Sequence, residues 1–264
     1  MGGHHALAER YRHILRNVPA VCPGVCRICH SGPNEITSRT EEDEKFFPEC
    51  LGCRLVAEEL RFGVGALTEI VPLSLAFEED DQLYAAVTSY DEPCPPSDSV
   101  DWALVLAAVI DRFYQAHASC LSRLAGGDFT LVTTLPRPVR GRPDVEPRDR
   151  VQRIAKNIPS LGDLYRQVLE PGPAAGNMSE KTAQEDGFTA TGPLHGQRVL
   201  LLDDVWFRGG YVQSAALALY RQEAATVVPL VIARLIVPPY NEANTLIRDE
   251  ALNEDFSFER CCLC

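Results

Sequence analysis

The chain is 264 residues long, 45% hydrophobic, and carries a formal net charge of -12. That apolar content supplies a sizeable core and excludes general disorder. The acidic balance argues against a body that wraps nucleic acid or lies on an anionic membrane. No apolar run has the length of a bilayer-spanning helix. Met1-Gly2-Gly3-His4-His5 lacks the apolar core of a signal peptide, so the expected location is the cytoplasm. Of ten cysteines, eight crowd the two ends, with only Cys94 and Cys120 between. Without a secretion signal, such clusters suggest metal rather than disulfides.

In chain order, Ala6 to Arg16 reads as a short amphipathic helix ended by Pro19 and Pro23, with His4 and His5 as a solvated end. Two Cys-x-x-Cys pairs follow, Cys26–Cys29 and Cys50–Cys53. Each pair sets two thiolates on one side of a tight turn, and two such knuckles complete the tetrahedron of a structural zinc site. Gly52 suits the second turn, and His30 is expected to lie outside the thiol shell. Four ligands from the protein leave no open position for catalysis. The alternative is four free thiols in a small core. A helix is expected to leave the second knuckle, over Leu51 to Arg61. Strands are expected at Leu67 to Phe77 and Leu83 to Tyr90, joined by the acidic turn Glu78 to Asp81. Asp91 to Ser99 is a proline-rich loop.

Val100 to Leu124 is the clearest long helix, capped by Asp98 or Ser99 and stopped by Gly126-Gly127. His117 and Cys120 fall near one face of it and read as core residues. Phe129 to Leu135 is a strand that runs into the chain's one basic patch, Arg137 to Lys156, which includes Arg140 and Arg142. This patch follows a strand's carboxyl end, where ligands sit in open α/β sheets. It reads either as a set of phosphate contacts or as a solvated Pro-Arg loop. Helix broken near Pro159 is expected over Arg150 to Val168, then a mobile flap over Glu170 to Asp186, then a short extended piece from Gly187.

Next, Val199-Leu200-Leu201-Leu202 ends in Asp203-Asp204, a glycine turn at Gly209-Gly210 and an Ala-rich helix. Two carboxylates at a strand tip can accept hydrogen bonds from the vicinal hydroxyls of a ribose. Backbone N–H groups at a helix start attract phosphate. Val227 to Val237 closes a β-α-β unit. Asn241 to Phe258 is polar and partly helical. Cys261, Cys262 and Cys264 close the chain. Acidic residues upstream make them a poor prenylation signal, and the tail is expected instead to fold back and, with Cys22, supply thiolates to a second metal.

The zinc knuckles together with VLLLDDVWFRGGYVQSAALAL resemble the ComF-type family, in which a small zinc module is joined to a type I phosphoribosyltransferase domain. The resemblance implies a doubly wound, mainly parallel α/β sheet. It places the zinc module at residues 1–62, the phosphoribosyltransferase-like domain at 63–240 and a tail at 241–264. It further implies that Asp203 and Asp204 hold the ribose of phosphoribosyl pyrophosphate. Val205, Trp206, Phe207, Arg208, Gly209, Gly210 and Tyr211 would cradle its phosphate, Arg140 and Arg142 would face the pyrophosphate, and Mg²⁺ would accompany the ligand. Phe207, Arg208 and Tyr211 stand where the family loop carries threonines. Three functions follow: pentosyl transfer from phosphoribosyl pyrophosphate to an unidentified acceptor, catalytically inactive binding of a nucleotide or sugar phosphate, or a competence- or DNA-associated zinc interaction protein. The acidic charge disfavours the last.

Overall fold

The computed structural model describes residues 2–32, 48–61, 67–77, 81–89, 100–136, 150–238 and 242–264. Among the described residues, four strands form a parallel sheet: β1 (Val71–Phe77), β2 (Leu131–Thr134), β5 (Arg198–Trp206) and β6 (Thr226–Ile236), in the spatial order β1-β6-β5-β2. Leu202 faces Leu230 across β5 and β6, Val71 faces the same Leu230 from β1, and Leu131 faces Val199. These strands read as near-continuous apolar runs because helices cover both faces of a parallel sheet. Alternation then divides the side chains between two cores. Leu200, Leu202, Leu230 and Ile232 enter one core with Leu106, Ile110 and Phe113 of helix α4 (Trp102–Ala125). Val199, Leu201, Val227 and Val231 enter the other. They meet Val212 and Leu219 of α6 (Gly210–Arg221), and Val56 and Leu60 beside helix α2 (Leu51–Glu59). The architecture is therefore α/β with a mainly parallel sheet. Cys26, Cys29, Cys50 and Cys53 belong to the second core, and the C-terminal Phe256, Phe258, Cys261 and Cys262 belong to the first.

Several elements differ from expectation, each for a local reason. The strand expected from Leu83 to Tyr90 is helix α3 (Gln82–Ser89). The Asp81 carboxylate accepts the Tyr84 N–H at 3.0 Å, which caps the first turn. Leu83, Ala86 and Val87 are then buried at helical spacing. The N-terminal helix α1 (Gly2–Arg10) starts earlier than expected and takes in His4 and His5, with a 3-10 turn at Arg12–Ile14. Only Arg150–Ala155 (α5) is helical in the segment before Pro159, and a 3-10 turn follows at Gly162–Leu164. Proline pushes the residue before it away from helical geometry.

The flap expected over Glu170 to Asp186 is a packed segment. Strands β3 (Leu169–Pro171) and β4 (Phe188–Ala190) pair antiparallel at its base. Ala175, Met178 and Ala183 are buried in the second core. Its backbone is tied to two helices, through Ala183 N–H to Glu59 at 2.7 Å and Gln184 N–H to Ser214 at 2.9 Å. The last helix, α7, covers Glu242–Leu252. Among the described residues, no helix is long and apolar enough to cross a membrane.

Candidate metal centre and adjoining cavity

The four thiols of Cys26, Cys29, Cys50 and Cys53 converge, all within 4.8 Å of one another and all buried. The Cys26–Cys53 and Cys29–Cys50 sulfurs are 3.9 and 3.6 Å apart. A zinc tetrahedron with Zn–S bonds of about 2.3 Å has edges of about 3.8 Å, so the set fits a metal ion of that size. The two pairs arise differently. Cys26 and Cys29 sit on a turn in which Cys26 N–H donates to the Ser31 carbonyl and His30 N–H to the Cys26 carbonyl. His30 takes φ +56° there, where glycine is easiest, and its Nδ1 lies 3.0 Å from the Pro19 carbonyl, outside the thiol shell. Cys50 is the N-cap of α2 and Cys53 lies in its first turn, where the positive end of the helix favours thiolates. Gly52 is helical and lies against the Arg208 stem. A Cβ there would sit 3.4 Å from Cγ of Arg208.

One residue of this centre lies far away in sequence. Arg234, on β6, is 6% exposed, and its guanidinium reaches the first knuckle. Nε donates to the Cys29 carbonyl at 2.8 Å and Nη2 to the Cys29 sulfur at 3.4 Å. Nη1 donates to the carbonyls of Phe207, at 3.0 Å, and Leu235. Burial works against its charge, but the thiol cluster outweighs that and strengthens its hold on the proton. At Cys29, burial disfavours the thiolate. Hydrogen bonds from the other three thiols and the Arg234 charge overcome this and hold Cys29 well below the usual thiol range. Cys50 is lowered by its bond with Cys26, while Cys26 and Cys53 are pushed up by bonds within the cluster. Four buried thiols beside one guanidinium cannot all ionise unaided. A divalent metal supplies the missing charge, and with four thiolates it leaves a net -2 that Arg234 partly offsets. Sequence reading missed this residue. The available signal was a lone arginine inside the run VVPLVIARLIV, since a charge in a buried strand needs a partner.

The acidic strand is arranged differently from its expected open tip. β5 runs through Asp203 and Asp204 to Trp206, and the two carboxylates are 1% and 0% exposed. Asp204 Oδ1 accepts the Val205 N–H at 2.8 Å. The turn after the strand is tightly filled. Gly209 has φ +89° and lies on the Trp206 ring, which a Cβ would meet at 2.2 Å. Gly210, the first residue of α6, lies against the carbonyls of Ser179 and Thr182. Val205, Gly209, Gly210 and Tyr211 are not among the residues that line the neighbouring cavity, whereas Trp206, Phe207 and Arg208 are. Arg140 and Arg142 lie outside the described residues.

This cavity, of about 380 Å³, opens at the carboxyl ends of β5 and β6, between the turn and the thiol cluster. Lys181, Arg208, Arg234, Phe207, Leu235 and Asn244 contribute to its wall. Its size suits a small ligand, and its position is the one ligands take in open α/β sheets. The Lys181 ammonium lies 5.0 Å from the centre of the Phe207 ring, and Arg208 Nε is buried without a hydrogen-bond partner. Asn244, on α7, accepts the Gly32 N–H at 3.0 Å and so ties the knuckle's exit to the far wall.

The C-terminal thiols separate. Cys261 and Cys264 meet His117 and Cys120 of α4, Cys262 is buried with its thiol pushed up by that burial, and Cys22 is exposed. Cys22 is not part of any metal-sized group among the described residues. Compared with family models, curated proteins and solved structures, the chain matches none of them.

Proposed function

We propose that this chain is a phosphoribosyltransferase-like, metal-stabilised protein that binds a phosphorylated ribose, such as phosphoribosyl pyrophosphate or a nucleotide, and does not turn it over. The observation that carries this reading is the cavity at the carboxyl ends of β5 and β6, with the cations Lys181 and Arg208 in its wall. Anionic oxygens suit such a wall, and the guanidinium favours planar, bidentate contact. Phe207 supplies an apolar surface beside them.

Three features favour binding over transfer. Asp203 and Asp204 are buried within the strand. The threonine positions of the family loop carry Phe207, Arg208 and Tyr211. The Arg208 stem is packed on Gly52 of the metal knuckle. A loop fastened in this way is poorly suited to wrap a phosphate and reopen on each turnover. Mg²⁺ belongs to this reading only as the counter-ion of a pyrophosphate ligand.

Calorimetry with phosphoribosyl pyrophosphate and Mg²⁺, and separately with ribose 5-phosphate, tests it. Wild type should bind at least one of them. Lys181→Ala/Arg208→Ala should weaken binding by at least about 100-fold, since each charged hydrogen bond contributes about 1.5–3 kcal/mol. Absence of heat with wild type, or equal affinity in the variant, would overturn the assignment. Asp203→Asn/Asp204→Asn asks separately whether the acidic pair holds the ribose. Pyrophosphate release in the presence of free bases would restore the transferase reading.

A further inference from the structure

The C-terminal segment doubles back along α4. Asn17 anchors its start, donating to Glu254 Oε2 at 3.0 Å and to the Asp255 carbonyl at 2.9 Å, and accepting the Ser257 N–H at 3.1 Å. Arg112 of α4 pairs with Glu259 at 2.5 Å and lies over the Phe258 ring. These contacts deliver Cys261 and Cys264 to His117 and Cys120, which lie one turn apart on α4. Three sulfurs and one imidazole nitrogen then lie within 4.8 Å of one another.

We propose that His117, Cys120, Cys261 and Cys264 hold a second structural zinc ion, which fastens the C-terminus to the middle of α4. Cys264 Sγ is 3.5 Å from His117 Nδ1. Bonds of about 2.3 Å to sulfur and about 2.0–2.1 Å to nitrogen give a tetrahedral edge of about 3.6 Å. Cys261 and Cys264 are 3.0 Å apart, and an ion between them would spread them toward about 3.8 Å. His117 is 2% exposed, and its Nδ1 faces the Cys264 sulfur. The backbone supports the same reading. His117 has φ -119° and ψ 16°, a departure from helical geometry inside α4. Helix kinks have identifiable local causes, and no proline stands in this one.

The donor set fixes the kind of ion. Three thiolates and an imidazole select zinc over magnesium or calcium, which take oxygen ligands. His-x-x-Cys on a helix and Cys-x-x-Cys in a tail each place two ligands on one side of a turn, the arrangement closed zinc sites use. Four ligands from the protein give a fastener, with no open position for substrate. This inference is independent of any ligand in the cavity.

Elemental analysis of the full chain, purified under reducing conditions, tests it together with intact-mass measurement. Wild type should hold one more zinc per chain than Cys261→Ser/Cys264→Ser and one more than His117→Ala. Cobalt substitution gives a second readout. The thiolate-to-cobalt absorption should fall in the Cys261→Ser/Cys264→Ser variant to the level of the N-terminal four-cysteine centre alone. Should the double variant fail to fold, Cys264→Ser alone, at the exposed last residue, gives the same comparison. Unchanged zinc content in the folded variants would overturn the proposal. So would a native mass lower by two hydrogens with Cys261 and Cys264 linked as a disulfide.

Discussion

Arg234 shows how one side chain can serve several parts of a protein. Its hydrogen bonds join the Cys26–Cys29 turn to the ends of β5 and β6, and its charge answers the thiol cluster. Arg234→Met keeps much of the volume and removes both functions. Losing one partner of a buried ionic contact costs about 3–5 kcal/mol, and losing an outer partner of a metal centre lowers affinity about 10–100-fold. Denaturant melts and a chelator competition should show both losses, and a variant with wild-type zinc affinity would remove Arg234 from the centre. Glu69 gives a pH test at the same scale. Burial raises its pKa, against a smaller opposing effect of Arg27. A carboxyl with a raised folded pKa contributes fully below its unfolded value, and that contribution is lost as pH rises through the folded one. Glu69→Gln should therefore stabilise the protein at pH 7, and the gain should vanish below about pH 4, near the ordinary carboxylate range. Melting temperatures across that window check the sign. A gain that persists in acid would mean that the effect is not one of ionisation.

At the scale of elements, α3 carries the clearest test. Its first turn depends on Asp81, whose two carboxylate oxygens accept from Tyr84 N–H and Phe77 N–H, at 3.0 and 2.8 Å. Asp81→Ala should cost about 0.5–2 kcal/mol, with faster amide exchange confined to Phe77 and the start of α3. Exchange unchanged there would argue against the cap. Local pattern explains what was legible in the sequence. The long helix α4, the strands β1, β5 and β6, and the helix after the second knuckle all have long apolar periods or punctuation. α3 was misread because Leu83-Tyr84-Ala85-Ala86-Val87 is short and carries β-branched and aromatic residues, while its cap sits in an acidic run that looked like a turn. The segment from Glu170 to Asp186 is rich in loop residues. Its order comes from partners distant in sequence, Glu59 and Ser214, which composition does not reveal. The thiols of the first centre were legible because each pair is local. The grouping of His117 and Cys120 with Cys261 and Cys264 depends on the folding-back of the tail, and Arg234 joined the first centre only through strand order.

For the whole molecule, the decisive feature is that, among the described residues, the thiol centre shares its core with the sheet. Cys26, Cys29, Cys50 and Cys53 lie in the same apolar cluster as Val199, Leu201, Trp206 and Val212. Metal binding in small domains is folding free energy, and a metal held by these thiols would couple that energy to the sheet. Removing the metal with a chelator should lower the melting temperature of the whole chain. It should release exchange protection in α2, β5 and α6 together. Protection lost only across residues 26–60 would show that the knuckles fold as an independent module.

The placement of Arg234 between metal and cavity has a further consequence for how the two sites influence each other. The same guanidinium touches the Cys29 sulfur and the Phe207 carbonyl, so the cavity wall and the metal shell share a group that cannot rearrange at one without being felt at the other. Linkage makes such an effect mutual. A ligand that binds the metal-loaded form more tightly must, by the same factor, raise the affinity of the thiols for the metal. Metal retention then becomes a reporter of occupancy, and a panel of anions can be screened by how well each protects the centre from a chelator.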